Sequence, residues 1–133
     1  MKRKLILIFG LFLLVGVQGF ACTSAIVSAK ASKTGRPLLW KNRDTGTEHN
    51  FVEKVDAKNG NYAYVALYNG GDSTLRDAWL GMNEVGFAIM NTASYNLAPD
   101  TAKLKDQEGY VMSLALQKCR TLADFETLHD TIS

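Results

Sequence analysis

The stretch GFACTSAIVSAK, positions 19 to 30, sets a cysteine directly behind a small residue at the end of a long apolar run. A cut after Ala21 would make Cys22 the first residue of the chain and place a free α-amine beside its thiol. Such an amine, with a reference pKa of about 7.7 to 8, is neutral in roughly a tenth of molecules at pH 7 and can accept the thiol proton. An ordinary thiol is only a few per cent thiolate at that pH, so a base or a neighbouring cation raises its reactivity. An internal cysteine has no such amine, so processing would itself create the nucleophile. Two other fates stand beside this one: acylation of the amine as a lipid anchor, and burial of an inert cysteine in a strand. Gly19 and Phe20 do not fit the residues expected before a lipidated cysteine.

The leader has the features that export requires. Lys2, Arg3 and Lys4 form a basic start, Leu5 to Val17 an uncharged apolar stretch, and Gly19 and Ala21 the small residues before a cleavage point. About 13 apolar residues fall short of the roughly 20 that span a bilayer. Residues 1–21 therefore read as a cleaved signal and 22–133 as the mature chain, secreted or periplasmic, with no membrane partner after cleavage. Three of the 15 basic residues lie in the leader, leaving 12 against 13 acidic groups and a net charge near −1. No run of Lys and Arg remains to suggest nucleic-acid binding. Two cysteines make no disulfide framework, and His49 and His129 are too far apart in sequence to form a ligand-spaced metal motif, so neither metal nor cofactor is expected. Oligomeric state stays open.

Elements that would position Cys22 follow from periodicity. Cys22 to Ala29 alternates, Lys33-Thr34-Gly35 turns, and Pro37 to Trp40 is a second apolar run: an antiparallel hairpin. After the polar loop 42–50, Phe51 to Val55 and Tyr62 to Tyr68 are strand candidates around a turn at Lys58 to Asn61. Leu75 to Leu80 and Gly86 to Thr92 form another expected pair flanking GMNEVG, positions 81 to 86. From Asp106 the period becomes helical, with Val111, Met112, Ala115, Leu116 and Cys119 on one face. Thr121 with Asp124 resembles a capping box opening a second helix striped by Phe125, Leu128 and Ile132. Strands first and helices afterwards indicate α+β. A strand-rich sheet with helices on one face wants a cover on the other. That need, and the stop at Ser133, suggest the N-terminal part of a longer domain.

Residues 22 to 44, CTSAIVSAKASKTGRPLLWKNRD, resemble the opening of cysteine-type N-terminal-nucleophile hydrolases: a Cys-Thr/Ser start, an alternating strand, a Gly turn, an apolar strand and a basic-Asn-x-Asp element. GMNEVGFAIMN, positions 81 to 91, is similar to their later Gly-x-Asn-Glu-x-Gly segment. The likeness is nearest to the branch holding penicillin acyltransferase and its hydrolase relatives, with choloylglycine hydrolases, penicillin V acylase and cysteine dipeptidases as neighbouring branches.

The resemblance implies a four-layer αββα sandwich of two antiparallel sheets. It also implies attack of Cys22 on a linear amide of a small N-acyl compound, with the α-amine moving the proton and an acyl thioester resolved by water or an acceptor amine. Asp44 matches the family's acidic residue, expected to orient the amine or contact the reacting group. Lys41 stands three residues before it, where Arg is common. Lysine cannot make the planar bidentate contact of arginine, and Arg43 could supply the missing guanidinium. Asn91, Asn83 and Tyr95 are candidate substrate contacts, although Asn83 also suits a turn. Trp40 and Trp79 read as core and Cys119 as an inert buried thiol. An oxyanion donor, worth on the order of 10² to 10³ in rate, is expected from sequence beyond this stretch. A dipeptidase of the same superfamily and a lipid-anchored binding protein are the alternatives.

Overall fold

The computed structural model describes residues 22–92 and 107–132; the leader, Tyr95 and its loop lie outside them. The architecture is α+β: two antiparallel sheets followed by two helices. β1 (Thr23–Val27) and β2 (Leu38–Asn42) form a two-stranded hairpin, with Gly35 in the turn at φ 68°. β3 (Asn50–Val55), β4 (Tyr64–Asn69), β5 (Leu80–Asn83) and β6 (Ala88–Met90) form a four-stranded meander in sequence order. α1 (Glu108–Lys118) and α2 (Leu122–Ile132) follow.

Alternation along β4 defines the core. Tyr64, Ala66 and Tyr68 are buried on the side that carries α1, against Met112 and Leu116, with Ala78 closing the cluster. Full burial of a side chain such as Leu116 contributes about 1.5–3 kcal/mol. A second cluster joins Phe87, Ala115 and Cys119 to Phe125 and Leu128 of α2. Thr121 and Asp124 make the expected reciprocal cap: the Thr121 hydroxyl accepts from Asp124 N at 3.2 Å, and the Asp124 carboxylate accepts from Thr121 N at 2.9 Å. Ile132, expected in the stripe, is exposed.

One expectation is corrected. Leu75 to Trp79 is not a strand, and GMN is not a turn; residues 80–83 are β5, and the reversal falls at residues 84–87. Two features explain the shift. The Asp72 carboxylate accepts from Thr74 N and Asp77 N, which holds the preceding segment in turns. Gly81, which looks like a turn glycine, instead permits close approach: a Cβ there would stand 2.5 Å from Leu116 Cδ1 and 2.8 Å from the Val65 carbonyl oxygen.

The backbone oxygen of Val65 cannot move aside cheaply, so Gly81→Ala is expected to cost about 1–3 kcal/mol, read as a lowered urea midpoint; an unchanged midpoint would contradict this packing. Burial, followed by the hydrogen bond that Tyr68 donates to the Tyr64 hydroxyl, raises the Tyr68 phenol well above its usual range. A raised folded-state pKa gives stability that is complete below the unfolded value of about 10 and is lost as pH climbs above it, because the unfolded chain ionises first. Tyr68→Phe should therefore lose less stability than the parent between pH 9 and 11, and equal losses in the two proteins would overturn the assignment.

Candidate functional site

Strand pairing decides which candidate residues meet. The hairpin register pairs Thr23 with Asn42 and Ser24 with Lys41; Cys22 and Arg43 are the next opposed positions beyond the ladder. Residues two apart project to the same side, so Cys22, Ser24, Lys41 and Arg43 share one face. That face turns toward one end of the four-stranded sheet, where Trp79 precedes β5 and Asn91 follows β6.

Lys41 makes the junction. Its Nζ donates to the Asn91 carbonyl at 2.8 Å, to the Trp79 carbonyl at 3.3 Å and to Asn91 Oδ1. An ammonium has three donors and no acceptor, so its capacity is spent. Asn91 passes the link on, its amide donating to Glu108 Oε2 at 2.7 Å, in the first turn of α1. Burial lowers the Lys41 pKa from its usual value; the Cys22 and Glu108 charges oppose that and Arg43 adds to it. Each charge-assisted bond is worth about 1.5–3 kcal/mol, which offsets part of the cost of a half-buried ammonium.

Arg43 is placed differently. Its guanidinium carbon lies 4.7 Å from the centroid of the Trp79 ring, and Nη1 donates to Asn50 Oδ1. Burial lowers its pKa and the Cys22 charge raises it, yet arginine keeps its charge throughout the working range. Both cations thus lie close enough to Cys22 to interact with a charge on its sulfur.

Cys22 is half-buried and unpaired, and its thiol donates to the Asp44 main-chain carbonyl at 3.6 Å. The Asp44 side chain is exposed, and its carboxylate has no hydrogen-bond or ion-pair partner among the described residues. It is the Asp44 backbone that meets the thiol. Cys119 is buried at the end of α1, and burial pushes its thiol up, with Asp124 adding to the effect.

Other expectations change. Asn83 lies at the opposite end of β5 from Trp79, buried, its amide donating to the Leu116 and Cys119 carbonyls at 3.0 and 2.8 Å while its Oδ1 accepts from Phe87 N. Those three bonds tie the end of α1 to the β5–β6 reversal and engage both amide donors. Trp40 is 52% exposed on the outer face of the hairpin, because alternation turns it away from the Lys41 side. Trp79 is half-buried and belongs to the site through its carbonyl and ring. Asn50, Trp79 and Glu108 were not among the sequence candidates; only the approach of strand ends and a helix start brings them in.

A cleft of about 380 Å³ lies between β2 and the sheet face opposite α1, lined by Leu38, Leu39, Val65, Leu67, Leu80 and Met82 among others. It holds no titratable side chain. Among the described residues no group of His, Cys, Asp and Glu could hold a metal ion, and no helix is long and apolar enough to cross a membrane. No known protein family, curated protein or solved structure matches the chain.

Lys41→Met should undock the hairpin while leaving the helix-backed sheet intact, at a cost of about 2 kcal/mol from lost charged hydrogen bonds. Amide hydrogen exchange should quicken in β1 and β2 and stay slow in β4 and α1; uniform quickening, or none, would show that Lys41 does not hold the two parts together.

Proposed function

We propose that this chain carries the nucleophile of an exported cysteine amidohydrolase or acyltransferase, which cleaves a linear C–N amide bond of a small N-acyl compound. The observation that carries this reading is the meeting of Cys22 with Lys41 and Arg43 on one hairpin face, with Asn91 from a remote strand end completing the junction. A thiol beside two cations is the setting in which cysteine becomes nucleophilic. The resemblance of CTSAIVSAKASKTGRPLLWKNRD and GMNEVGFAIMN to cysteine-type N-terminal-nucleophile hydrolases supports the same reading, and with it a four-layer αββα sandwich. An antiparallel hairpin standing over the sheet face opposite α1 is compatible with the inner layers of that architecture.

In the proposed reaction, cleavage after Ala21 frees the Cys22 amine, which takes the thiol proton. Sulfur attacks the amide carbon, the C–N bond breaks, and the amine passes the proton to the departing nitrogen. Water, activated by the same amine, or an acceptor amine then opens the thioester, releasing the acyl group and restoring the thiol. Lys41, with every donor engaged, positions the hairpin; Arg43 supplies the unsaturated positive charge.

The test is the intact mass of the protein exported from its complete gene, before and after a stoichiometric thiol-directed electrophile, together with turnover of N-acyl amides. A chain beginning at Cys22, labelled there and not at Cys119, is expected, and Cys22→Ala should lose turnover by at least about 10³-fold. Full activity in Cys22→Ala, or a lipid-modified terminus, would end this reading.

A further inference from the structure

We propose that Arg43, stacked on Trp79, is a carboxylate-binding subsite beside Cys22, so that the compounds this thiol meets carry an anionic carboxylate near the reacting carbon. The proposal rests on the thiol nucleophile above and names the substrate class for that same site. The guanidinium carries five N–H donors in a planar fork, and the described contacts are one hydrogen bond, to Asn50 Oδ1, and the Trp79 face at 4.7 Å. No carboxylate among the described residues forms an ion pair with it. Asp44, its chain neighbour, has an exposed side chain and meets the thiol through its main-chain carbonyl.

A half-buried arginine fixed by a ring on one face and an amide at one nitrogen is oriented, yet has no carboxylate partner among the described residues. The planar fork matches a carboxylate bidentately, whereas a lysine ammonium does not. Lys41 cannot compete for the same ligand, because its three donors already face the Trp79 and Asn91 oxygens. The register places Arg43 opposite Cys22, on the same hairpin face. A ligand held by the fork therefore presents its neighbouring atoms to the sulfur.

The test uses two alkylating agents that differ in charge: iodoacetate, which bears a carboxylate, and the neutral iodoacetamide. The ratio of their labelling rates at Cys22 in the full-length protein, divided by the same ratio for N-acetylcysteine, reads carboxylate capture without needing turnover. The parent should favour iodoacetate by roughly tenfold, the size of one charge-assisted contact. Arg43→Gln should abolish the preference. Arg43→Lys, which keeps the charge and loses the fork, should lose most of it, with circular dichroism verifying that each variant is folded.

A preference of one in the parent, or one fully retained in Arg43→Lys, would overturn the subsite; the latter would indicate a diffuse positive field. With N-acylglycine and its carboxamide as substrates, turnover of both at equal kcat/KM overturns the subsite and leaves the amidase reading standing. Selective iodoacetate capture without turnover of either supports the subsite and sinks the amidase reading.

Discussion

The Lys41 ammonium is the constraint on which the site depends. The hairpin bearing Cys22 meets the helix-backed sheet through limited apolar contact: Ile26 is 77% exposed and Leu38 50% exposed. What fixes its position is a cation whose donors reach two main-chain carbonyls and one side-chain amide at the far end of the sheet. Those acceptors belong to residues flanking β5 and β6, two of them main-chain carbonyls, so the position of Cys22 is tied to the register of the meander. Through Asn91 and Glu108 it is tied also to the first turn of α1. Lysine suits this junction because a compact ammonium fits among three oxygens converging from different directions, whereas a planar guanidinium would demand coplanar acceptors.

That assignment divides two roles that a single arginine would otherwise combine. Lys41 is saturated and acts through position. Arg43, two residues along the same strand face, is held among the described residues by a ring and one amide, and not by an acid. The rigid joint and the open cation thus occupy separate side chains.

Much of the framework was legible because it rests on local signals. The first hairpin, β3, β4 and both helices follow from alternation, turn residues, helical spacing and a capping pair. β5 was misread because Gly81 is a turn-forming type used here to clear room for Leu116, so the turn that Asn83 does open, accepting from Gly86 N and Phe87 N, starts later than expected. The role of Gly81 is tertiary, and nothing within a few residues of it signals that role. The site was legible for Cys22, Lys41, Arg43 and Asn91, whose types already suggested chemistry. Trp79, Asn50 and Glu108 were hidden because their contributions are a carbonyl, a ring face and a second-hand contact, none of which residue type or spacing reveals.

The distribution of counter-charge determines how these groups act on the thiol. Glu108 bears on Lys41 electrostatically and is joined to it through the Asn91 amide, so part of the ammonium's charge is balanced within the protein. Among the described residues no acid plays that part for Arg43: burial weakens its hold on the proton, and the charge that strengthens it is that of Cys22. The positive field near Cys22 that no acid balances among the described residues is that of Arg43. A ligand carboxylate seated on the same guanidinium would reduce that field, just as it brings a reacting carbon to the sulfur. Donor count makes the two demands compatible, because a five-donor fork can hold a carboxylate along one edge while the guanidinium still faces the thiolate. A lysine at position 43 could serve either partner as a point charge, but could not orient both.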